Sequence, residues 1–216
     1  MALRLHRWLP LTGILAVVLW VIGLVLVEST DTPADDASPD QVLAWVQGNA
    51  DTITIGAFLF MIGVFFLFWF LGSLRERLFL AEGGSAALTA TTFAGGVAMA
   101  VFMLGSMGGD IAAAISKDDL NATTADALHN LGDIWFIGAE ISAAVLLAGT
   151  GLVALQTRVL PKWLAWVSLL IALVLLIGPI GWAALIFAVP LWIIVLSILF
   201  FLRPVAGRPV GTTPIV

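Results

Sequence analysis

The chain contains no cysteine and few charged residues, which make up 11 % of its 216 residues. Without cysteine it cannot form a disulfide, a thiolate zinc site or a cysteine-held iron–sulfur cluster. Thiol catalysis is excluded for the same reason. The chain has two histidines, His6 and His129, so any metal site has to rely largely on carboxylates.

Apolar residues dominate the chain and account for 61 % of it. Soluble proteins carry charge on about a quarter of their residues. A mean hydropathy of +1.11 leaves too little polar material to cover a globule of 22.8 kDa, so most of its exterior must face lipid. This composition predicts an all-α polytopic membrane protein that forms a single bundle over residues 1–216.

Hydrophobic runs long enough to cross about 30 Å of hydrocarbon predict about six transmembrane helices. The predicted ranges are 8–27, 52–72, 89–115, 128–156, 163–178 and 182–202. The 28–50 segment is predicted as an outer loop with a short helix, because Ser38, Pro39 and Gln41 are typical of a capped helix start. Basic residues before an apolar run, such as Arg4 and Arg7 here, are also typical of signal peptides. No small-residue cleavage site precedes Glu28, so a retained helix is predicted.

Basic residues indicate how these helices are oriented. With Met1 in the cytoplasm, eight of the nine lysines and arginines fall on the cytoplasmic side and only Lys117 lies outside. The predicted outside segments instead collect acidic residues: Glu28, Asp31, Asp35, Asp36, Asp40, Asp51, Asp118, Asp119 and Asp126. This pattern predicts a multi-pass protein of the cell membrane with both termini in the cytoplasm.

Three carboxylates fall inside the predicted spans, and intramembrane carboxylates are costly enough to be functional candidates. Asp110 lies on the third helix, and Asp133 and Glu140 lie on the fourth. At 100° per residue, His129, Asp133 and Glu140 fall within about 40° of one another. A short loop makes the two helices neighbours, with Asp110 and Asp133 at similar depth. These residues, with Ser106, predict an outward cavity with Glu140 at its floor.

Carboxylates that approach one another in a low dielectric share a proton, bind a cation or are kept apart by protein. His129, Asp133 and Asp110 are therefore a candidate metal site, or a proton relay with His129 at its mouth. A purely structural role is the alternative. In that case a protonated Glu140 bonds to Ser106 or a backbone carbonyl, and the aspartates are hydrated at the headgroup level.

The fifth predicted helix begins at 160–166 with the segment Leu-Pro-Lys-Trp-Leu-Ala-Trp. Together with the preceding 152–157 segment, it resembles a Leu-Pro-Arg-Trp-Leu-Gly-Trp element of uncharacterised small multi-helix membrane proteins of actinobacteria. Lys162 and Ala165 depart from that element. The resemblance covers the last part of the chain and implies membership of a group of integral membrane proteins without a known activity.

These patterns predict a membrane protein that binds or passes a small cation, a proton or a polar solute. An accessory or scaffold subunit of a membrane assembly is the alternative, and an intramembrane lipid hydrolase is a third hypothesis. No nucleotide-binding loop, redox-cofactor motif or nucleophile–base spacing occurs, so no cofactor, catalytic residue or nucleic-acid partner is predicted. The expected partners are the lipid bilayer, the cation or proton, and another membrane protein or a second copy of the chain.

Overall fold

The computed structural model describes residues 7–34, 36–83 and 86–203, and all regular structure in these ranges is helical. The elements, after a 3-10 turn at Leu9–Leu11, are α1 (Thr12–Glu28), α2 (Pro39–Glu82), α3 (Ala87–Ser106), α4 (Gly108–Ile115), α5 (Ala122–Thr157), α6 (Lys162–Leu175), α7 (Gly178–Ala183), a π-helical turn (Ala184–Ala188) and α8 (Val189–Leu202). The prediction of an all-α helix bundle is confirmed.

Five helical segments of the described chain are long and apolar enough to cross a membrane. They are Leu9–Glu28, Pro39–Glu82, Ala87–Ile115, Ala122–Thr157 and Gly178–Leu202. The apolar helix α6 is shorter, with 14 residues. At 1.5 Å per residue it measures about 21 Å, less than the roughly 30 Å of a hydrocarbon core. In length and composition these helices are compatible with an integral membrane protein.

The short helix predicted between residues 28 and 50 is the first part of a longer helix. Ser38 caps α2 as expected, because its hydroxyl accepts the N–H of Gln41 and its own N–H donates to the Gln41 side chain at 2.8 Å. The helix then continues for 44 residues. Gly48 is the single glycine before the apolar run, and one glycine costs only about 1 kcal/mol. The prediction of two separate helices here is wrong.

The two ends of the bundle differ in charge. At one end, the side chain of Gln47 donates to the carbonyl of Lys117 at 3.2 Å, which brings α2 and the α4–α5 loop together. We call this the acidic end because it carries Glu28, Asp31, Asp36, Asp40, Asp118, Asp119 and Asp126. At the basic end, Arg77 donates to the carbonyls of Phe200 and Arg203 at 2.6 and 2.7 Å. The basic end also carries Arg7, Arg75, Arg158 and Lys162.

Helices α2 and α5 are longer than a bilayer is thick. Their 44 and 36 residues correspond to about 66 and 54 Å. Much of the extra length lies at the acidic end, where both helices pack with α4 around a small apolar cluster that is separate from the main core. We call it the acidic-end layer, formed by Val27, Trp45, Val46, Ala50, Ile53, Ala113 and Ala114.

Glu82 takes the place of an N-cap side chain for α3. The residue before α3, Ala86, has no side chain that can accept a hydrogen bond. The carboxylate of Glu82 instead accepts the backbone N–H groups of Leu88 at 3.1 Å and Thr89 at 2.8 Å, and the Thr89 hydroxyl at 2.6 Å. It thereby satisfies N–H groups that every helix start leaves without a partner.

We expect Glu82→Ala to lower the melting temperature of the detergent-purified protein. The N–H groups in the first turn of α3 lose the two carboxylate oxygens that accept their hydrogen bonds, and the helix start loses a favourable negative charge. Glu82→Gln keeps one carbonyl oxygen and should lower it less. Glu28→Ala, at the exposed end of α1, is the control and should leave melting unchanged. An unaltered melting temperature for Glu82→Ala would show that the carboxylate does not stabilise this helix start.

Candidate functional site

Asp110 and His129 meet between α4 and α5 in the acidic-end layer. The Nδ1 atom of His129 lies 2.9 Å from the Oδ1 atom of Asp110, which is hydrogen-bonding distance. Asp110 is 9 % exposed and lies in the first turn of α4, near N–H groups that favour a negative charge. The structure thus brings two of the predicted site residues into direct contact.

Two glycines let the backbones approach closely enough for this contact. A Cβ atom on Gly109 would overlap the carbonyl of Leu128, and one on Gly132 would lie 2.7 Å from the carbonyl oxygen of Ser106. No side chain fits at either position without moving a helix. Small residues of this kind allow close helix contact, and here they place Asp110 opposite His129.

The third partner of the site is Trp45 on α2. Its ring meets the His129 imidazole edge-on, with centroids 5.4 Å apart and an angle of 64° between the planes. The Trp45 indole N–H donates to the Thr30 hydroxyl at 2.8 Å, and Thr30 donates in turn to the carbonyl of Val27 at 2.6 Å. His129 is therefore held between a carboxylate and an aromatic ring that is itself fixed by hydrogen bonding.

Asp133 and Ser106 occupy different surroundings from this pair. Asp133 is exposed, one helical turn after His129 on α5, whereas Asp110 is buried. The Ser106 side chain is buried, but its hydroxyl donates to the carbonyl of Met103 on its own helix at 2.8 Å. Of the residues predicted to line one cavity, Asp133 is therefore exposed, and Ser106 is buried but makes its hydrogen bond within its own helix.

Glu140 is buried at 6 % exposure, beneath the turn that joins α6 and α7. A Cβ atom on Gly181 would lie 2.7 Å from its Oε2 atom. Asp133 and Glu140 point in similar directions on α5, seven residues or about 10 Å apart. The α6–α7 turn lies against Glu140 through Gly181, whereas Asp133 is exposed. The single stripe predicted from the sequence is thereby divided.

A metal site is not assembled from these side chains. Within residues 7–34, 36–83 and 86–203, no group of three or more histidine, aspartate and glutamate side chains is placed to hold a metal ion. Of the predicted set of His129, Asp133 and Asp110, His129 and Asp110 are in direct contact, and Asp133 is exposed one turn further along α5. Two protein ligands are fewer than a catalytic zinc ion usually has.

An open cavity of about 480 Å³ lies at the acidic end, in the loop between α1 and α2. Its volume is in the range of small-molecule sites, roughly 300–1,000 Å³. It is not the predicted cavity between the third and fourth spans, but Trp45 contributes to both the cavity and the His129 contact. The cavity is lined by Asp31, Thr32, Pro33, Ala34, Asp36, Ala37, Gln41 and Trp45.

No protein-family model matches the chain, and neither do any curated proteins or solved structures. The resemblance at 160–166 therefore stays a prediction. What the fold and site define is a class: an all-α protein with five helices able to cross a membrane and a buried Asp–His pair at its acidic end.

Proposed function

We propose that the protein binds a proton or a small cation at its acidic end and passes it toward the buried Glu140. The observation that carries this proposal is the 2.9 Å contact between His129 and Asp110. Imidazole is the side chain that gains and loses a proton near neutral pH. A buried carboxylate beside it holds the charged form, so the pair is suited to take up and release a proton.

Beyond this pair, helix α5 carries two further carboxylates that point in similar directions, first an exposed one and then a buried one. Asp133 follows His129 by one turn and is exposed, and Glu140 follows Asp133 by about two turns and is buried. Ionisable groups that face a bundle interior are typical of proton and ion pathways. The order from exposed to buried carboxylate supports entry from the acidic end.

The charge distribution supports the same direction of entry. The chain has a formal net charge of −5, and most of its described acidic residues lie at the end of the bundle where Asp110 and His129 meet. A surface of one sign raises the local concentration of ions of the other sign. Protons and small cations are therefore concentrated at the mouth of the proposed site.

We also propose that the acidic end faces outward from the cell membrane and that both termini are cytoplasmic. The described basic residues gather at one end of the bundle, and Lys117 alone among them lies at the other. Cytoplasmic segments carry an excess of lysine and arginine, which supports this orientation.

Cysteine labelling tests the orientation directly, because the native chain has no cysteine. Asp118→Cys at the acidic end should react with an impermeant maleimide added to intact cells. Gln156→Cys near the basic end should react only after the membrane is opened. Both side chains are exposed, so they form a matched pair. The reverse pattern of labelling would contradict the proposed orientation.

Uptake into liposomes tests the function. With a pH-sensitive dye inside and an imposed proton gradient, the wild-type protein should acidify the lumen faster than protein-free liposomes. Asp110→Asn and His129→Gln should slow the initial rate roughly tenfold or more, since a positioned proton-transfer group contributes about 10² to 10⁴. Asp118→Asn, exposed at the same end, is the control and should keep the wild-type rate.

Sodium or potassium gradients with a cation-sensitive dye extend the same assay to small cations. Wild-type rates equal to those of protein-free liposomes for all three ions would contradict the proposal and favour an accessory or scaffold role. The hydrolase hypothesis has no support in the site, because the His129 hydrogen bond in the described structure goes to Asp110 and not to a serine or threonine hydroxyl.

A further inference from the structure

We infer that Glu140 and the main-chain carbonyl of Leu175 form a buried site for one monovalent metal cation of the size of sodium, closed by Gly181 at the break between α6 and α7. This inference deepens the proposed function and rests on it for the route of entry. It concerns the place where the cation is held after it has left the acidic surface.

The break in the helix leaves the Leu175 carbonyl without its usual donor. In an α-helix this carbonyl would accept the N–H of the residue four positions later, which is Pro179 and has no N–H. Four other N–H groups of the turn are used elsewhere: those of Leu176 and Ile177 donate to the carbonyls of Leu173 and Val174, and those of Ile180 and Gly181 both donate to the carbonyl of Ile177. No hydrogen bond to the Leu175 carbonyl is formed within the described residues.

The carboxylate of Glu140 approaches this same carbonyl. A Cβ atom on Gly181 would lie 2.7 Å from Glu140 Oε2 and 2.9 Å from the Leu175 oxygen, so both oxygens border one small space. Glu140 is buried, and among the described residues it has no hydrogen bond and no ion pair. Two acceptors therefore converge without a donor, an arrangement that either a proton on Glu140 or a bound cation between them would stabilise.

The helices packed against Glu140 do not supply that positive charge. Helix α3 and the 178–202 segment contain no titratable side chain, and α6 contains only Lys162 at its far end. On α5 itself, Asp133 lies two turns toward the acidic end and Arg158 lies about five turns toward the basic end. The titratable residues of α2 lie toward its ends: Asp40, Asp51, Arg75, Glu76, Arg77 and Glu82.

The oxygen atoms that would bind the cation indicate which kind of cation it is. A carboxylate and a main-chain carbonyl are hard oxygen ligands, which suit hard cations and not copper, zinc or iron. One carboxylate balances one positive charge, which favours a monovalent ion. In membrane transporters, the carbonyls released where a helix is interrupted coordinate sodium in the same way. Water molecules would complete the coordination of the ion.

Thermal unfolding of the full chain in detergent tests the site at fixed pH. Replacing choline chloride by sodium chloride at constant ionic strength should raise the melting temperature by several degrees and then saturate, because a ligand that binds only the folded state stabilises it. Glu140→Gln and Gly181→Ala should each abolish this sodium dependence. Gly178→Ala should retain it, because no atom lies within 4 Å of a Cβ atom at that position.

Glu140→Gln keeps the shape of the side chain, so it remains informative if Gly181→Ala does not fold. A wild-type melting temperature that does not respond to sodium, whether or not it responds to pH, would overturn the inference. Asp110→Asn separates this result from the proposed function: it should slow liposome uptake and leave the sodium-dependent melting unchanged. If the melting temperature depends on sodium but the protein takes up no ion into liposomes, the proposed function is contradicted and the cation site is not.

Discussion

Gly23→Leu should prevent most of the protein from folding, because α1 and α2 touch through their backbones at this point. A Cβ atom on Gly23 would overlap the carbonyl of Gly56 and lie 2.6 Å from the N atom of Phe60. From the other side, a Cβ atom on Gly56 would lie 2.9 Å from the carbonyl oxygen of Gly23. A side chain here must push two helices apart along their contact.

The expected loss exceeds that of ordinary overpacking, because the Cβ atom would meet backbone atoms that cannot move without separating the helices. Overpacking a well-packed site costs about 1–3 kcal/mol or more, and whole domains are stable by only about 5–15 kcal/mol. We therefore expect little monodisperse Gly23→Leu protein in size-exclusion chromatography. Gly72→Leu is the control, because Gly72 lies on α2 with no atom within 4 Å of its Cβ position. A wild-type yield and melting temperature for Gly23→Leu would contradict the backbone contact.

The helical fold could be predicted from the sequence because its signal is local. Each apolar run is long enough to identify a helix by itself, and the capped start at Ser38 is fixed by side chains three residues apart. The end of a helix is less well determined. Residues 47–51 are polar enough to leave the membrane, yet none of them stops a helix, so α2 continues through them.

The proximity of α4 and α5 could be predicted for a similar reason, because the short loop at 116–121 makes them antiparallel neighbours. The depth argument paired Asp110 with Asp133, whereas the structure places His129, one turn nearer the loop, against Asp110. The difference in exposure between Asp133 and Glu140 could not be predicted, because it depends on where the α6–α7 turn lies along α5. That height follows from the 14 residues of α6 and from its position beside α5.

Three residues of the site and fold carried little signal on their own. Trp45 stands on the polar segment before the second apolar run, but its distant contact with His129 is a matter of tertiary packing. Glu82 precedes a helix that has no capping side chain, but the sequence does not show that the chain between them turns back to bring its carboxylate to that helix start. Gly181 follows a proline in a turn, and the sequence does not show that Glu140 lies against it.

The pair of Asp110 and His129 should be energetically coupled as well as adjacent. Asp110→Ala or His129→Ala alone leaves a partly buried polar group without its partner, which we expect to lower the free energy of unfolding by about 1–3 kcal/mol each. The double variant loses both groups at once. Its loss should be smaller than the summed single losses by about 0.5–3 kcal/mol, the range for residues in contact.

Unfolding in a detergent titration at neutral pH measures the three variants against the wild type. The control cycle combines His129→Ala with Asp118→Ala, whose carboxylate is exposed in the α4–α5 loop. Groups without a shared partner should give additive losses within about 0.3–0.5 kcal/mol. Additivity of Asp110→Ala with His129→Ala would mean that the 2.9 Å contact does not stabilise the acidic-end layer, and the proposed proton-binding pair would then lose its structural basis.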